Sequence, residues 1–345
     1  MIKSLVKGCE VMAVVKADAY GHGSVEVAKY LESQGVKYFA VACMKEAIEL
    51  RDGGLRGEIL IFGRTCPENI FYLKKYNLIQ TVHSLEYAKQ IASYRLPVRV
   101  HLNIDTGMSR FGFYLHQTEN LDTVFNEVLE ISRIPELKLE GIYTHFANSD
   151  EPESNFYLEQ FKLFQSLLKK LEEAGLKGLL KHAANSAASL AYPETYLDMV
   201  RVGIAMYGYP PVKTDMDFKP GMEVFARVSS VRQVKATDTV SYGRTYSPKT
   251  EEKIATLSIG YADGYNRRLS NQDLVYYQGH ILPVIGRVCM DAIMISTEGQ
   301  NVGEGDLVEV FGENKDMRTM CQTLETIPYE ILCAVSKRVT RIYKK

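Results

Sequence analysis

From its start to about residue 210 the chain alternates short β-branched apolar runs with polar turns and amphipathic stretches whose apolar positions recur at helical spacing. The apolar runs are Val11–Val15, Tyr38–Ala42, Glu58–Phe62, Ile79–Val82, Val98–Ile104, Leu139–Thr144, Leu179–Ala183 and Met199–Ala205. They number about eight, the count that closes a (β/α)8 barrel. Helices are expected over Ser24–Gln34, Met44–Asp52, Asn120–Ile131 and Glu153–Ala174, the last with Tyr157, Phe161, Phe164, Leu168 and Leu171 on one face. An open doubly wound sheet is the rival. Each run is followed by a similar helical interval, and no GxGxxG follows the first strand, so the barrel is favoured.

Beyond Pro210–Pro211 the texture changes to Val, Ile, Thr and Tyr with few helical intervals. Runs at Val224–Val234, Ile254–Ile259, Leu274–Tyr277, Ile281–Val284, Ile293–Ile295 and Leu307–Val310 predict a mainly β domain, with Met317–Glu325 as its best helix. The expected organisation is an α/β, TIM-type (β/α)8 barrel over residues 1–213 and a mainly β C-terminal domain over residues 214–345.

Composition narrows the partners. Of 345 residues, 41 are Lys or Arg and 42 Asp or Glu, so no global field collects nucleic acid or an anionic membrane. A small-molecule partner is the expectation. Six scattered cysteines form no CxxC pair and no zinc-finger spacing, which reads as free thiols and no metal site. No apolar run approaches the ~20 residues of a membrane helix, and no signal-peptide core is apparent, so a cytoplasmic location is expected.

Candidate chemistry collects at the C-terminal ends of the expected barrel strands, where such barrels place their active sites. Lys16 follows the first strand, and its apolar setting favours the neutral amine that a Schiff base requires. Arg110 lies in the segment after strand five, His145 closes strand six, Asn185 and Ser186 follow strand seven, Arg201 lies in strand eight and Gly203 just beyond it. Each alone has a bland reading: snorkelling lysine, turn residue, core histidine, helix cap, buried ion pair. Together they direct a lysine, two arginines and a histidine into one ring. Ser186 and the amides around it are suited to an anion, since loops after strands seven and eight are the usual phosphate site. In the β half, the glycine turns around Tyr242, Tyr261 and Met290 read individually as hairpin residues.

The ordered segments AVVKADAYGHG, IDTGMSRFGF, YTHFANSD, HAANSAAS, MVRVGIAMYG, VSYGRTY, SIGYADGY, GRVCMD and IPYEIL resemble the alanine racemase family from about residue 11 to 341. The resemblance implies a racemase that interconverts L- and D-alanine and supplies D-alanine for peptidoglycan. It implies a pyridoxal 5'-phosphate cofactor and a head-to-tail homodimer in which each site borrows residues from the partner's β domain. Lys16 would carry the cofactor; Tyr20, Ser186, Gly203, Ile204 and Tyr329 would hold its phosphate, with His145 and Asn185 also lining it. Arg201 would face the pyridine nitrogen, and Arg110 would bind the phenolic oxygen and the substrate carboxylate with help from the partner's Met290 amide. Lys16 and the partner's Tyr242 would be the two bases; a free tyrosine has a pKa of ~10, and His145 and Arg201 match the residues that give it a cationic or hydrogen-bonding neighbourhood. Asp150, Tyr261, Arg267, Arg287, Ile327 and Tyr329 would line the entrance. Tyr329 favours alanine, since serine-preferring relatives of the vancomycin-resistance group tend to have asparagine there.

The sequence departs from the family in two places. Asn103 stands where many members have a carbamylated lysine bracing the equivalent of Arg110, so a bound anion such as chloride or a direct Asn103–Arg110 hydrogen bond is expected instead. Members also carry an extra strand and helix ahead of AVVKADAYGHG, and this sequence opens close to the strand itself. Three readings compete with an alanine racemase: a racemase of serine or of larger amino acids; a basic-amino-acid decarboxylase, argued against by the SYGRTY tyrosine and the lack of a glycine-rich phosphate loop; and a non-catalytic cofactor-binding barrel, argued against by the β half.

Overall fold

The computed structural model describes residues 2–6, 8–151 and 153–344. Contacts divide the chain into two compact units. One runs up to Ala19 and over Gly23–Phe218; the other contains Tyr20–His22 and the chain from Lys219.

The first unit is a closed parallel barrel of eight strands: β1 (Glu10–Val14), β2 (Tyr38–Val41), β3 (Glu58–Ile61), β4 (Ile79–Val82), β5 (Val98–Asp105), β6 (Leu137–Thr144), β7 (Leu180–His182) and β8 (Met199–Val202). Met12 pairs with both Tyr38 of β2 and Arg201 of β8, which closes the circle. Seven helices follow the first seven strands: α1 (Ser24–Ser33), α2 (Met44–Asp52), α3 (Ile70–Lys75), α4 (Leu85–Ala92), α5 (Leu121–Ser132), α6 (Phe156–Glu173) and α7 (Ser186–Ala191). The apolar face read from the sequence of α6 is buried: Tyr157, Phe161, Phe164, Leu168 and Leu171, with one polar member, Gln160. Branched aliphatic side chains such as Ile59, Ile61, Val100, Leu102 and Val200 are fully enclosed. Buried polar side chains are interspersed along the strands: Gln80 and Thr81 on β4, His101 and Asn103 on β5, Thr144 on β6, His182 on β7 and Arg201 on β8.

The second unit is also a closed barrel, antiparallel and six-stranded: β9 (Val224–Val234), β10 (Glu252–Leu257), β11 (Leu274–Tyr277), β12 (His280–Ile285), β13 (Ile293–Ser296) and β14 (Leu307–Phe311), in the order β9-β10-β13-β12-β11-β14 and back to β9. Val234, Val240, Ile254 and Ile285 form one core cluster, with Tyr246 and Met294 packed on it. The expected helix is present as α8 (Arg318–Leu324). A further helix, α9 (Pro328–Ala334), was not anticipated, although Pro328 at its first turn is a recognised start signal. Deep in this unit Lys315 Nζ meets Asp273 Oδ1 at 2.7 Å, and Tyr265 donates its hydroxyl to Asp273 Oδ2 at 2.6 Å. Burying a carboxylate is tolerable here because both its oxygens are engaged.

Candidate active site

Lys16 stands two residues past the end of β1, and the backbone after it makes one left-handed helical turn. Ala17, Asp18, Ala19 and Tyr20 all have φ between 52 and 55°. Non-glycine residues resist this region by roughly 1–2 kcal/mol each, so the surroundings must impose it. They do so through hydrogen bonds. Glu46 on α2 takes the amide of Ala17 at 2.8 Å with one oxygen and that of Ala42 at 2.7 Å with the other. Ala19 N reaches Val15 O at 2.9 Å, and Asp18 accepts from Gly23 N through its carbonyl and from Ser24 N through Oδ1, both at 2.9 Å.

Arg110 sits on a loop organised by Asp105, whose Oδ1 accepts the amides of Gly107, Met108 and Ser109 at 2.9–3.0 Å. Asn103 does not meet Arg110 directly. Its Nδ2 donates to the carbonyl of Phe111 at 2.7 Å, so it fixes the peptide next to Arg110. Of the two alternatives left open by the sequence, a bound anion or a direct Asn103–Arg110 hydrogen bond, the direct bond is not formed: Asn103 Nδ2 is taken up by main chain.

Arg201 is buried, and its guanidinium donates to four acceptors. Nη1 reaches His182 Nδ1 at 3.0 Å; Nη2 reaches Thr144 O at 2.8 Å, Ala183 O at 2.9 Å and His145 Nδ1 at 3.1 Å. All four are neutral. Burial, opposed by the Tyr143 phenol and reinforced by Arg110, lowers Arg201 to about 10, so it remains a cation near neutrality. His145 responds to its setting in the opposite sense to a cationic role. Desolvation, followed by Arg201, Arg110 and Lys16, holds it well below the ordinary imidazole range. It is a neutral ring whose Nδ1 accepts from Arg201, and it offers Nε2–H as a donor. Of this pair Arg201 is therefore the cation, and His145 is a neutral hydrogen-bonding ring.

On the adjoining loops, Asn185 caps α7 by accepting from Ala188 N at 3.0 Å and takes a hydrogen bond from Ser149 at 2.9 Å. Ser186 Oγ accepts from Gly203 N at 2.8 Å and so keeps its own proton as a donor. Gly203 and Ile204 are buried, while Asp150 on the loop after β6 is exposed.

The remaining sequence-selected residues belong to the second unit. Tyr20 and Tyr329 rings lie 5.8 Å apart at 51°. Burial, Tyr329 and Cys333 push the Tyr20 phenol upward, so it acts as a neutral donor. Gly21, next to Tyr20 in the chain, has no room for a side chain, since a Cβ would come within 2.1 Å of Leu332 O. Tyr242 and Met290 are 72% and 52% exposed, and Tyr261 and Ile327 are also open to solvent. Three loops clasp one another there: Ser241 donates to Arg287 O at 2.6 Å, Tyr261 N to Cys289 O at 3.0 Å and Ala262 N to Met290 O at 3.0 Å. Arg267 and Arg287 are exposed on the same unit.

Several residues that build this arrangement were not singled out in the sequence. Glu46 stands three residues after Cys43 at a helix start, a capping-like signal. Gln160 is a polar residue in the apolar face of α6, and its amide donates to His145 O at 3.1 Å and Thr106 Oγ1 at 3.3 Å while accepting from Ala147 N at 2.9 Å. His101 precedes Asn103 by two, on the same face of β5.

The donor set suits an anionic, carbonyl-bearing cofactor. A primary amine lies just past β1, a hydroxyl and main-chain amides lie after β7 and β8, two arginines flank a neutral imidazole, and among the described residues no carboxylate accepts from Arg201. Such a ring on a parallel barrel, with a separate β unit that presents an exposed tyrosine, defines the barrel-type amino-acid racemases. The chain belongs to the alanine racemase family. Family models for the alanine racemase N-terminal and C-terminal domains match residues 1–211 and 221–343. The alanine racemase of Clostridium perfringens is 44% identical over 357 residues, covering 100% of this chain and 91% of that protein. Among solved structures, the alanine racemase of Clostridium difficile superposes with a TM-score of 0.92 at 38% identity, covering 98% of this chain and 90% of that one. That of Bartonella henselae, solved with covalently bound pyridoxal phosphate, gives 0.88 at 28% identity and covers 99% of this chain and 95% of that one.

Proposed function

We propose that this chain is a pyridoxal 5'-phosphate-dependent alanine racemase that interconverts L- and D-alanine. The observation that carries the reading is the convergence of Lys16, Arg110 and Arg201 on a neutral His145 at the strand ends of the first unit. Lys16 would hold the cofactor covalently, Ser186 and the amides of Gly203 and Ile204 would hold its phosphate with Tyr20 and Tyr329, and Arg201 would face its ring nitrogen. When bound, the cofactor supplies an electron-withdrawing ring that acidifies the α-hydrogen of the attached amino acid.

Racemisation needs one proton removed from one face of the α-carbon and another delivered to the opposite face. Lys16 Nζ serves one face. Tyr242 Oη of a second copy serves the other, a role supported by its exposure on the β unit. Arg110 pairs with the substrate carboxylate, aided by the partner copy's Met290 amide. An arginine at the ring nitrogen would keep its own proton. Asp150, Tyr261, Arg267, Arg287, Ile327 and Tyr329 narrow the entrance to small zwitterions, and Tyr329 favours alanine over serine. The enzyme works in the cytoplasm as a homodimer and supplies D-alanine for peptidoglycan.

Purified protein with added pyridoxal phosphate is expected to be yellow and to racemise alanine faster than serine, lysine or arginine. Lys16→Ala loses both the visible absorbance and the racemisation. Retention of full activity in that variant would sink the assignment.

A further inference from the structure

We infer that His101 is a positioning residue that holds Arg201 in place through His182, an inference that rests on the reading of Arg201 as the cofactor-facing cation. Proton positions along this chain follow from one end. A guanidinium only donates, so His182 Nδ1, 3.0 Å from Arg201 Nη1, carries no proton. The buried neutral His182 ring must then carry its proton on Nε2, which faces His101 Nδ1 at 3.0 Å. His101 Nδ1 is therefore the acceptor, and the neutral His101 ring keeps its proton on Nε2.

The barrel is built around this chain. Along the β5–β6 pairing the register slips between Val100 and His101, so His101 lies opposite Gly141 instead of the next residue in sequence, Glu140. A Cβ on Gly141 would come within 2.5–2.7 Å of three atoms of the His101 ring, so β6 opens there for the imidazole. Tyr143 stacks on His182 at 4.7 Å and 14°, and the guanidinium of Arg201 lies 5.1 Å over the same tyrosine ring. His101 supplies an acceptor at a depth where water is excluded, and His182 relays it. Arg201 is thus oriented by neutral groups, and among the described residues no carboxylate accepts from it.

The test uses holoenzyme labelled with 15N-histidine and compares wild type with His101→Leu and His101→Asn. Asparagine places Oδ1 where histidine has Nδ1. In wild type, long-range proton–nitrogen correlations are expected to show His182 and His101 each in the single Nε2–H form. In His101→Leu the His182 signals leave that form, and kcat for alanine falls about tenfold with KM within about twofold, because Arg201 does not touch substrate. His101→Asn restores the His182 signals and returns kcat to within about threefold of wild type. A wild-type His182 protonated on Nδ1 overturns the inference, as does a His101→Leu enzyme with unchanged His182 signals and kcat. If the leucine variant fails to fold, the wild-type tautomers and the asparagine variant still decide. A wild-type protein with the expected tautomers but no racemisation would overturn the functional reading instead, and the His182 signals would then decide this one alone.

Discussion

At the scale of single residues, the left-handed turn after Lys16 reverses the usual effect of glycine. Ala17 is exposed and has φ of 52°. Glycine at this position removes an αL penalty of roughly 1–2 kcal/mol and adds unfolded-state entropy worth roughly 0.5–1 kcal/mol. Ala17→Gly should therefore leave stability unchanged or raise it by up to about 1 kcal/mol, whereas Ala17→Val should lower it by at least about 1 kcal/mol. Urea midpoints of the two variants check the difference, and a loss in the glycine variant would contradict the turn. Nothing in Ala17-Asp18-Ala19-Tyr20 announces this conformation, because the segment contains no glycine until Gly21. The conformation is imposed from outside, by Glu46 and by the amides that Asp18 collects, and a local reading of the sequence cannot see such partners.

Elements account for what was legible and what was not. Barrel strands and α6 could be read because their periodicity is a local property, and the observed bounds either coincide with the expected ones or differ by up to three residues at an end. Closure of the β unit was not readable, since the pairing of β9 with β14 joins residues far apart in sequence. Polar side chains that link elements escaped for the same reason. Gln160 reaches from α6 to the ends of β5 and β6, so Gln160→Leu leaves His145 O and Ala147 N without their partner and should cost about 2 kcal/mol by chemical denaturation. Gln160→Glu keeps the acceptor for Ala147 N but sets a buried carboxylate against the carbonyl of His145, and should cost at least as much. The imidazoles of β5 and β7 make a pH prediction. Burial pushes His101 down to about 4, and His182 is held well below its ordinary value by burial, Arg201 and His101. Unfolded histidines bind protons near pH 6.5, where these do not, so stability falls as pH drops from there toward 4. His101 alone accounts for roughly 3 kcal/mol of that fall. Urea titrations should show His101→Asn with a shallower decline than wild type over this window; equal slopes would mean that His101 is not buried neutral.

For the whole molecule, the division of chemistry between two units sets the final expectation. Lys16, Arg110, His145 and Arg201 lie in one unit, and Tyr242 and Met290 are exposed on the other. If the second base is lent by a partner copy, each active site of a dimer takes Lys16 from one chain and Tyr242 from the other. Lys16→Ala and Tyr242→Phe homodimers should both be inactive, one lacking a base at every site and the other lacking the opposite base at every site. A heterodimer of the two distributes the defects differently. One of its sites combines the altered Lys16 of the first chain with the altered Tyr242 of the second, and its other site is intact. Random reassortment makes half of the dimers mixed, so unfolding and refolding the two variants together should recover about a quarter of wild-type activity. If Tyr242 instead served the Lys16 of its own chain, each chain would carry one defective site, and mixing would recover nothing. The quarter recovery, measured as alanine racemisation after co-refolding and compared with each variant refolded alone, therefore separates a shared site from a self-contained one.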